Sequence, residues 1–459
     1  MSQFIRKQLS QSALARWIVL GIVSFTMMTG YIVAKEMSPL QYLLELSTLQ
    51  GGLGWSSGEF GIFAGARGFF NVFLLMLFVG GVILDKTNVR FAGTLSCLLM
   101  LAGAAGIYYA VAHMDPRPTL ALTPSMPVIK HQVLAAAAGF AVFGIGYEMC
   151  GITVSKVIVK WFSGKEMALA MGIQVALARL GTALALGFST TIAIHNHIST
   201  PILWGVLAVG VGTIVYLIFC MMDTRIDHEQ VSDRSSTREE ETPFRFADLA
   251  QTMKNSGFWL ITLLCLLYYS ALYPFLDFAT NLMISKYGVD PEVAGLIPAI
   301  LPFGSILLTP VFGYLVDSKG RGATIMVVGT IMLTAVLAVF ALPLTSSVLA
   351  IVLMIVLGIA FSLLPSALWP AVPKIVPMKQ LGTAYSIIYY IQNIGLILIP
   401  VWIGHVLEAN VRLDGTTDYT QAMLIFTIIG ALAIVVAILV LILDRRKHYG
   451  LETPNIDPS

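Results

Sequence analysis

The chain has 459 residues, 57% of them hydrophobic and only 11% charged, with a net charge of +2. Soluble domains run at about 45–50% apolar and about 25% charged, so this composition does not cover a water-soluble surface. The small net charge, with no basic patch interleaved with aromatics, argues against a nucleic-acid binder, and a mean hydropathy of +0.84 points to a membrane.

Apolar stretches long enough to cross a bilayer, about 20 residues each, recur from end to end. They are expected at 15–36, 59–84, 90–113, 131–160, 165–195, 200–222, 256–284, 291–316, 322–343, 346–373, 381–407 and 420–443. The chain therefore reads as an all-α membrane protein of about twelve spans. Arg6, Lys7 and Arg16 precede the first stretch, but no small-residue cleavage site follows a short core, so it reads as a retained span. Cys97, Cys150, Cys220 and Cys265 all lie inside apolar runs without paired or metal-ligand spacing. They read as small packing residues, and neither a metal nor another cofactor is expected.

The connections orient the bundle. Arg6, Lys7, Lys86, Arg90, Lys160, Lys165, Lys319, Arg321, Lys374, Lys379 and the Arg445-Arg446-Lys447 cluster fall on alternate connections. The opposite ones hold few cations, among them Arg117, Lys130, Lys286 and Arg412. By the positive-inside rule both termini are cytoplasmic, which requires an even number of spans. After the sixth span the chain turns polar over 223–255, as a solvated linker does. It separates a first half, 1–222, from a second, 256–459.

The halves repeat each other. Gly81-Val-Ile-Leu-Asp85-Lys86 follows the second span, and Gly313-Tyr-Leu-Val-Asp317-Ser-Lys-Gly-Arg321 follows the eighth. Gly144-Ile-Gly-Tyr-Glu148 aligns with Gly358-Ile-Ala-Phe-Ser362, and the same frame brings Lys165 onto Lys379 and Arg179-Leu-Gly181 onto Asn393-Ile-Gly395. Duplicated halves of this kind build many secondary transporters. In the two Gly-x-x-x-Asp loops the glycine permits close helix approach, and the acid sits where backbone amides and arginines reach it. Gly81, Asp85, Lys86 and Arg90, with Gly313, Asp317 and Arg321, are expected to form a conformational latch on the cytoplasmic side.

Ionisable groups inside spans are costly and point to function. Glu148 lies 16 residues before the turn at Ser163-Gly164 and Arg179 lies 15 after it. At about 1.5 Å per residue they are level and near mid-membrane. Two readings stay open: an ion pair pinning two helices, or groups that contact the solute. The neutral equivalents Ser362 and Asn393 favour the second, since a pair needed only for the frame would serve both halves. Glu148 suits an amino group and Arg179 a carboxylate, together a zwitterion. Arg67 in span two either lines the outer vestibule or snorkels, and Asp277 in span seven is similarly open. Lys35-Glu36 mark the outer end of span one. His405 is a weak proton-relay candidate. Gln174, Tyr268, Tyr269, Trp369, Tyr385, Gln392 and Asn393 supply polar tips and rings suited to a wet cavity, with Tyr273, Tyr389 and Tyr390 nearby. No phosphate loop, zinc motif or nucleophile arrangement is visible, so neither an enzyme nor a nucleotide-driven pump is expected.

Two Gly-x-x-x-Asp loops on a six-plus-six frame resemble the major facilitator superfamily over almost the whole chain. Longer strings are more specific: Phe143-Gly-Ile-Gly-Tyr-Glu148, Lys160-Trp-Phe-Ser-Gly-Lys-Glu166, Ala178-Arg-Leu-Gly181, Tyr268-Tyr-Ser-Ala-Leu-Tyr-Pro-Phe275, Ser362-Leu-Leu-Pro-Ser-Ala-Leu-Trp-Pro370, Gln380-Leu-Gly-Thr-Ala-Tyr385 and Ile391-Gln-Asn-Ile-Gly395. They resemble the branch holding the lysosomal dipeptide carriers of animals. Arg67, Asp277 and Tyr389-Tyr390 depart from that pattern. The resemblance implies alternating-access transport of dipeptides, with Glu148 and Arg179 holding the substrate's ends. The expected partners are a small zwitterion, the bilayer and possible coupling protons, with no obligate protein subunit. The short N-terminal tail, which has no acidic dileucine signal, suits a bacterial cytoplasmic membrane. The alternatives are a carrier of organic anions, with Arg179 and Arg67 as the positive site, a carrier of sugars, or a non-transporting receptor on the same frame.

Overall fold

The computed structural model describes residues 13–117, 119–120, 128–162, 166–231, 253–377, 380–412 and 416–454. The turn at Ser163-Gly164 and most of the polar linker lie outside them.

The first half holds α1 (Ala13–Glu36), α2 (Gln41–Glu45), α3 (Ser57–Ala66), α4 (Phe69–Phe73), α5 (Met76–Lys86), α6 (Val89–His113), α7 (His131–Phe162), α8 (Met167–His195) and α9 (Ser199–Val231). The second holds α10 (Ser256–Tyr287), α11 (Pro291–Ala294), α12 (Leu296–Lys319), α13 (Gly322–Ala341), α14 (Ser347–Ile375), α15 (Leu381–Ala409) and α16 (Thr420–Lys447). A two-residue hairpin, β1 (Thr119–Leu120) with β2 (Ile129–Lys130), joins α6 to α7. The start of α1 and the end of α16 lie on one side of the bundle, the termini face; the other is the far face.

Among the described residues eleven helices are long and apolar enough to cross a membrane. The twelfth crossing is the chain from Ser57 to Lys86, which returns from the far face in three pieces. This corrects the expectation of one continuous helix over 59–84. The helix is interrupted at Arg67-Gly68 and again at Leu74-Leu75, where Leu75 is left-handed at φ 52°. A second difference is at the linker: α9 runs on to Val231, past the expected boundary at 222. Asp223, on that extension, is buried at 1% exposure and accepts from Lys160 Nζ at 2.8 Å, Trp161 Nε1 at 3.2 Å and Arg90 Nη1 at 3.4 Å. It ties the ends of α6, α7 and α9 together.

Small residues let membrane helices close on each other. Gly58, Gly61, Gly65 and Gly68 lie on one side of the α3 segment and meet α15. A Cβ at Gly65 would lie 2.6 Å from the Ile397 carbonyl, and one at Gly404 would lie 2.9 Å from Gly61 Cα. Gly103 meets Phe143 in the same way, and Gly146 meets Met100. The polar bonds that cross between halves gather from mid-membrane to the far face. Lys35 pairs with Asp277, which also accepts from Ser38 Oγ at 2.8 Å. Asn281 donates to Glu45 at 3.0 Å, and Thr191 to the Glu292 carbonyl at 2.7 Å. Toward the termini face, a Cβ at Gly172, Gly313 or Gly382 would meet nothing within 4 Å.

Candidate substrate site

The site begins with a backbone contact. A Cβ at Gly144 would collide with Arg67, whose carbonyl carbon would lie 2.9 Å away, and Asn71 Nδ2 donates to the Gly144 carbonyl at 3.2 Å. The interrupted second crossing therefore rests on α7 at Gly144. One helical turn on, on the same side of α7, is Glu148. Arg67, at the break, sets its guanidinium 5.2 Å from the Tyr147 ring centroid.

Arg67, Glu148 and Arg179 are half-buried. Among the described residues no ion pair joins Glu148 to Arg179. Arg179 reaches instead into the second half, donating to Thr309 Oγ1 at 3.2 Å with its guanidinium 4.7 Å from the Phe361 ring centroid. The charge that bears most on Glu148 is Arg67. Tyr31 of α1 packs on Tyr147 at 5.2 Å and stands within electrostatic range of Glu148, Arg67 and Arg179 together.

Aromatic rings from the second half complete the group. Trp369 stacks on Tyr389 at 5.1 Å, lies 6.0 Å from Tyr385, and donates Nε1 to the Tyr269 hydroxyl at 3.3 Å. Tyr269 stacks in turn on Tyr273 at 5.4 Å, and Tyr273 meets Phe361 edge-on at 6.1 Å. Tyr389 is within electrostatic range of Glu148 and Tyr31 across the seam. The chemistry is thus unevenly divided: the first half contributes two guanidiniums and a carboxylate, the second mostly rings.

The remaining expected residues differ in their surroundings. Tyr268 is fully buried and donates its hydroxyl to the Ala360 carbonyl at 2.8 Å, so it joins α10 to α14. Gln392 accepts from Cys265 Sγ at 3.2 Å, and Asn393 donates to the Tyr389 carbonyl at 2.9 Å while its Oδ1 would lie 3.4 Å from a Cβ on Gly68. Tyr385 donates to the Trp369 carbonyl at 3.4 Å, whereas Gln174 is half-buried on α8 and, among the described residues, makes no side-chain hydrogen bond to this group. Lys35 and Glu36 do more than end α1. Lys35 is buried in the cross-half pair, and Glu36, at 1% exposure, lies against Gly205. His405 sits 3.6 Å from Glu408 near the far face.

Of the latch residues, Lys86 is exposed, Arg90 binds Asp223, and Arg321 is exposed in a left-handed turn at φ 63°. Gly313 faces open space here, without the close helix contact expected of it. The Asp85 side chain and the surroundings of Gly81 are outside the described residues. Tyr31, Tyr147, Thr309 and Phe361 were not anticipated. In the sequence they are unremarked members of apolar runs, although Tyr147 adjoins Glu148 and Phe361 adjoins the repeat-equivalent Ser362.

Comparison with known proteins agrees with this architecture. The family model described as Major Facilitator Superfamily matches residues 12–400. The lysosomal dipeptide transporter MFSD1 of Danio rerio is 27% identical over 396 residues, 83% of this chain and 78% of that protein. Its Gallus gallus counterpart is 30% identical over 282 residues, 59% of this chain and 62% of that protein. Among solved structures, the nucleoside transporter NupG matches with a TM-score of 0.68 at 14% identity, covering 93% of this chain and 98% of that one. A mutant of the peptide transporter POT in complex with alafosfalin matches at 0.66 and 13%, covering 95% of each chain.

Proposed function

Since the chain belongs to the major facilitator superfamily and is a multi-pass membrane transporter, we propose that it carries dipeptides or closely similar zwitterions by alternating access. One observation carries this reading: Glu148 and Arg179 are both half-buried, and among the described residues no ion pair joins them. A carboxylate and a guanidinium held apart in this way match the amino and carboxyl ends of a short peptide, and a guanidinium binds a carboxylate through two parallel bonds. The ring wall of Tyr269, Tyr273, Trp369 and Tyr389 then faces the peptide's side chains, where rings accept varied apolar and polar shapes. The dipeptide transporters at 27–30% identity support the same substrate class.

In this proposal the termini face is cytoplasmic, because Lys86, Arg90, Lys160, Lys319, Arg321, Lys374 and Arg445–Lys447 gather there. The halves are joined by polar bonds toward the far face, and the Gly-x-x-x-Asp loops serve as latches for the opposite closure. A second reading has its own observation. Two guanidiniums, Arg67 and Arg179, face one carboxylate, an excess that suits an organic anion.

Thermal stability of the purified protein against dipeptides, single amino acids, dicarboxylates and sugars separates these readings. A ligand at 100 times its dissociation constant adds about 2.7 kcal/mol. Dipeptides are expected to stabilise the parent and to lose that effect in Arg179→Ala and Glu148→Gln. Stabilisation by dicarboxylates alone, retained in Glu148→Gln, establishes the anion reading in its place.

A further inference from the structure

We propose that the segment Tyr449–Pro454, beyond the last helix, is a built-in clamp that holds the second latch loop in one geometry. The start of a helix leaves its first amide N–H groups without intrahelical partners, and at α13 the tail supplies those partners from more than 120 residues away. Arg321 N–H donates to the Glu452 carbonyl at 3.0 Å and Gly322 N–H to the Leu451 carbonyl at 2.9 Å. The Glu452 carboxylate accepts from both the Thr324 N–H and the Thr324 hydroxyl, each at 2.8 Å. A carboxylate at a helix N-terminus is favoured by charge as well as by hydrogen bonding.

The loop it grips needs holding. Arg321 is left-handed at φ 63°, a conformation that costs a residue with a side chain. Its neighbour Gly320, at φ 70°, lies so close to the tail that a Cβ there would be 2.7 Å from Pro454 N. The tail is in turn fixed on its other side. Lys374 at the end of α14 donates to the Gly450 and Thr453 carbonyls at 2.8 and 3.2 Å. Leu451, 3% exposed, gives its N–H to Asp444, and the Tyr449 hydroxyl donates to Asn255, the N-cap of α10, at 3.0 Å. One short segment thus joins the ends of α10, α12, α13, α14 and α16 on the termini face. The loop following Asp317 is presented in a single shape, so the second half moves as one body when the halves rock.

The test uses the full chain with Glu452→Ala and Leu451→Ser, and with Glu452→Gln as the milder form. Limited trypsin digestion reads the bonds after Lys319 and Arg321, and amide hydrogen exchange reads Arg321–Thr324. Both report local opening of this loop. Opening, and with it cleavage and exchange, is expected to be about tenfold faster in Glu452→Ala, the usual scale for losing a cap. Glu452→Gln should fall between, since it keeps an acceptor without the charge. With a dipeptide as probe, the maximal transport rate should fall while half-saturation is unchanged. Cleavage and exchange within twofold of the parent in both Glu452→Ala and Leu451→Ser overturn the clamp. Faster digestion with an unchanged maximal rate overturns its part in the transport cycle. Absence of dipeptide uptake in the parent itself counts against the substrate reading, and the digestion and exchange results still judge the clamp.

Discussion

Gly144 receives the backbone of Arg67 at a point where any side chain would stand, and that contact brings an interrupted helix against the turn carrying Glu148. The repeat-equivalent Gly358 is less tightly met: a Cβ there would lie 3.4 Å from Leu301 Cα, an ordinary contact. The two glycines occupy the same place in the duplicated frame and both meet backbone, yet only at the first would a Cβ overlap it.

The difference predicts unequal cost. Gly144→Ala forces a backbone shift and should destabilise by about 1–3 kcal/mol, as overpacking does, while weakening ligand binding through displacement of Arg67. Gly358→Ala should be close to neutral and should leave binding intact. Thermal unfolding of the two variants side by side checks this, and equal losses would contradict it.

Lys35, buried, and Asp277, half-buried, form a pair across the halves, so removing one partner leaves the other charge uncompensated. Lys35→Met or Asp277→Asn alone should each cost about 3–5 kcal/mol, and the double replacement should recover much of that. A double-mutant cycle by unfolding measures it. Additive losses would mean that the pair is not coupled.

Tyr268 and Tyr269 are adjacent but differ in role. The Tyr268 hydroxyl is committed to the Ala360 carbonyl deep inside the second half. Tyr268→Phe should therefore lower stability by about 0.5–1.5 kcal/mol, the net worth of one buried hydrogen bond, with ligand affinity unchanged. Tyr269→Ala removes a ring from the wall, and should reduce affinity by more than it reduces stability. Calorimetric binding alongside thermal unfolding distinguishes the two, and loss of affinity in Tyr268→Phe would put that residue back among the lining groups.

Arg179 combines a bond to Thr309 with a ring contact to Phe361, which requires a planar guanidinium. Arg179→Lys keeps the charge but not that geometry, and should lose at least about tenfold in affinity for the same ligand, roughly 1.4 kcal/mol. Unchanged affinity in the lysine variant would show that charge alone is used there.

The helical frame was legible because hydropathy reports burial in lipid, and eleven of the expected spans are single long helices. The second crossing was misread for the same reason. Its breaks at Arg67-Gly68 and Leu74-Leu75 contain no proline and change apolar content little, so a hydropathy window passes over them. Glu148 and Arg179 stand out in the sequence because charge is rare inside apolar spans. Whether they pair with each other stayed open in the sequence, because helical rise gives depth and not azimuth. Lys35 looked like an end marker because its partner, Asp277, lies 242 positions away. The Gly58, Gly61, Gly65 and Gly68 spacing is a readable signal for close helix packing.

The most direct test of the central claim is calorimetric binding of one dipeptide in three forms, free, N-acetylated and C-amidated, to the parent, Glu148→Gln and Arg179→Ala. If Glu148 holds the amino end and Arg179 the carboxyl end, acetylation weakens binding to the parent but adds no further loss in Glu148→Gln. Amidation should likewise add none in Arg179→Ala. Losses that simply add in both variants would contradict that assignment of the two residues to the two ends of one substrate.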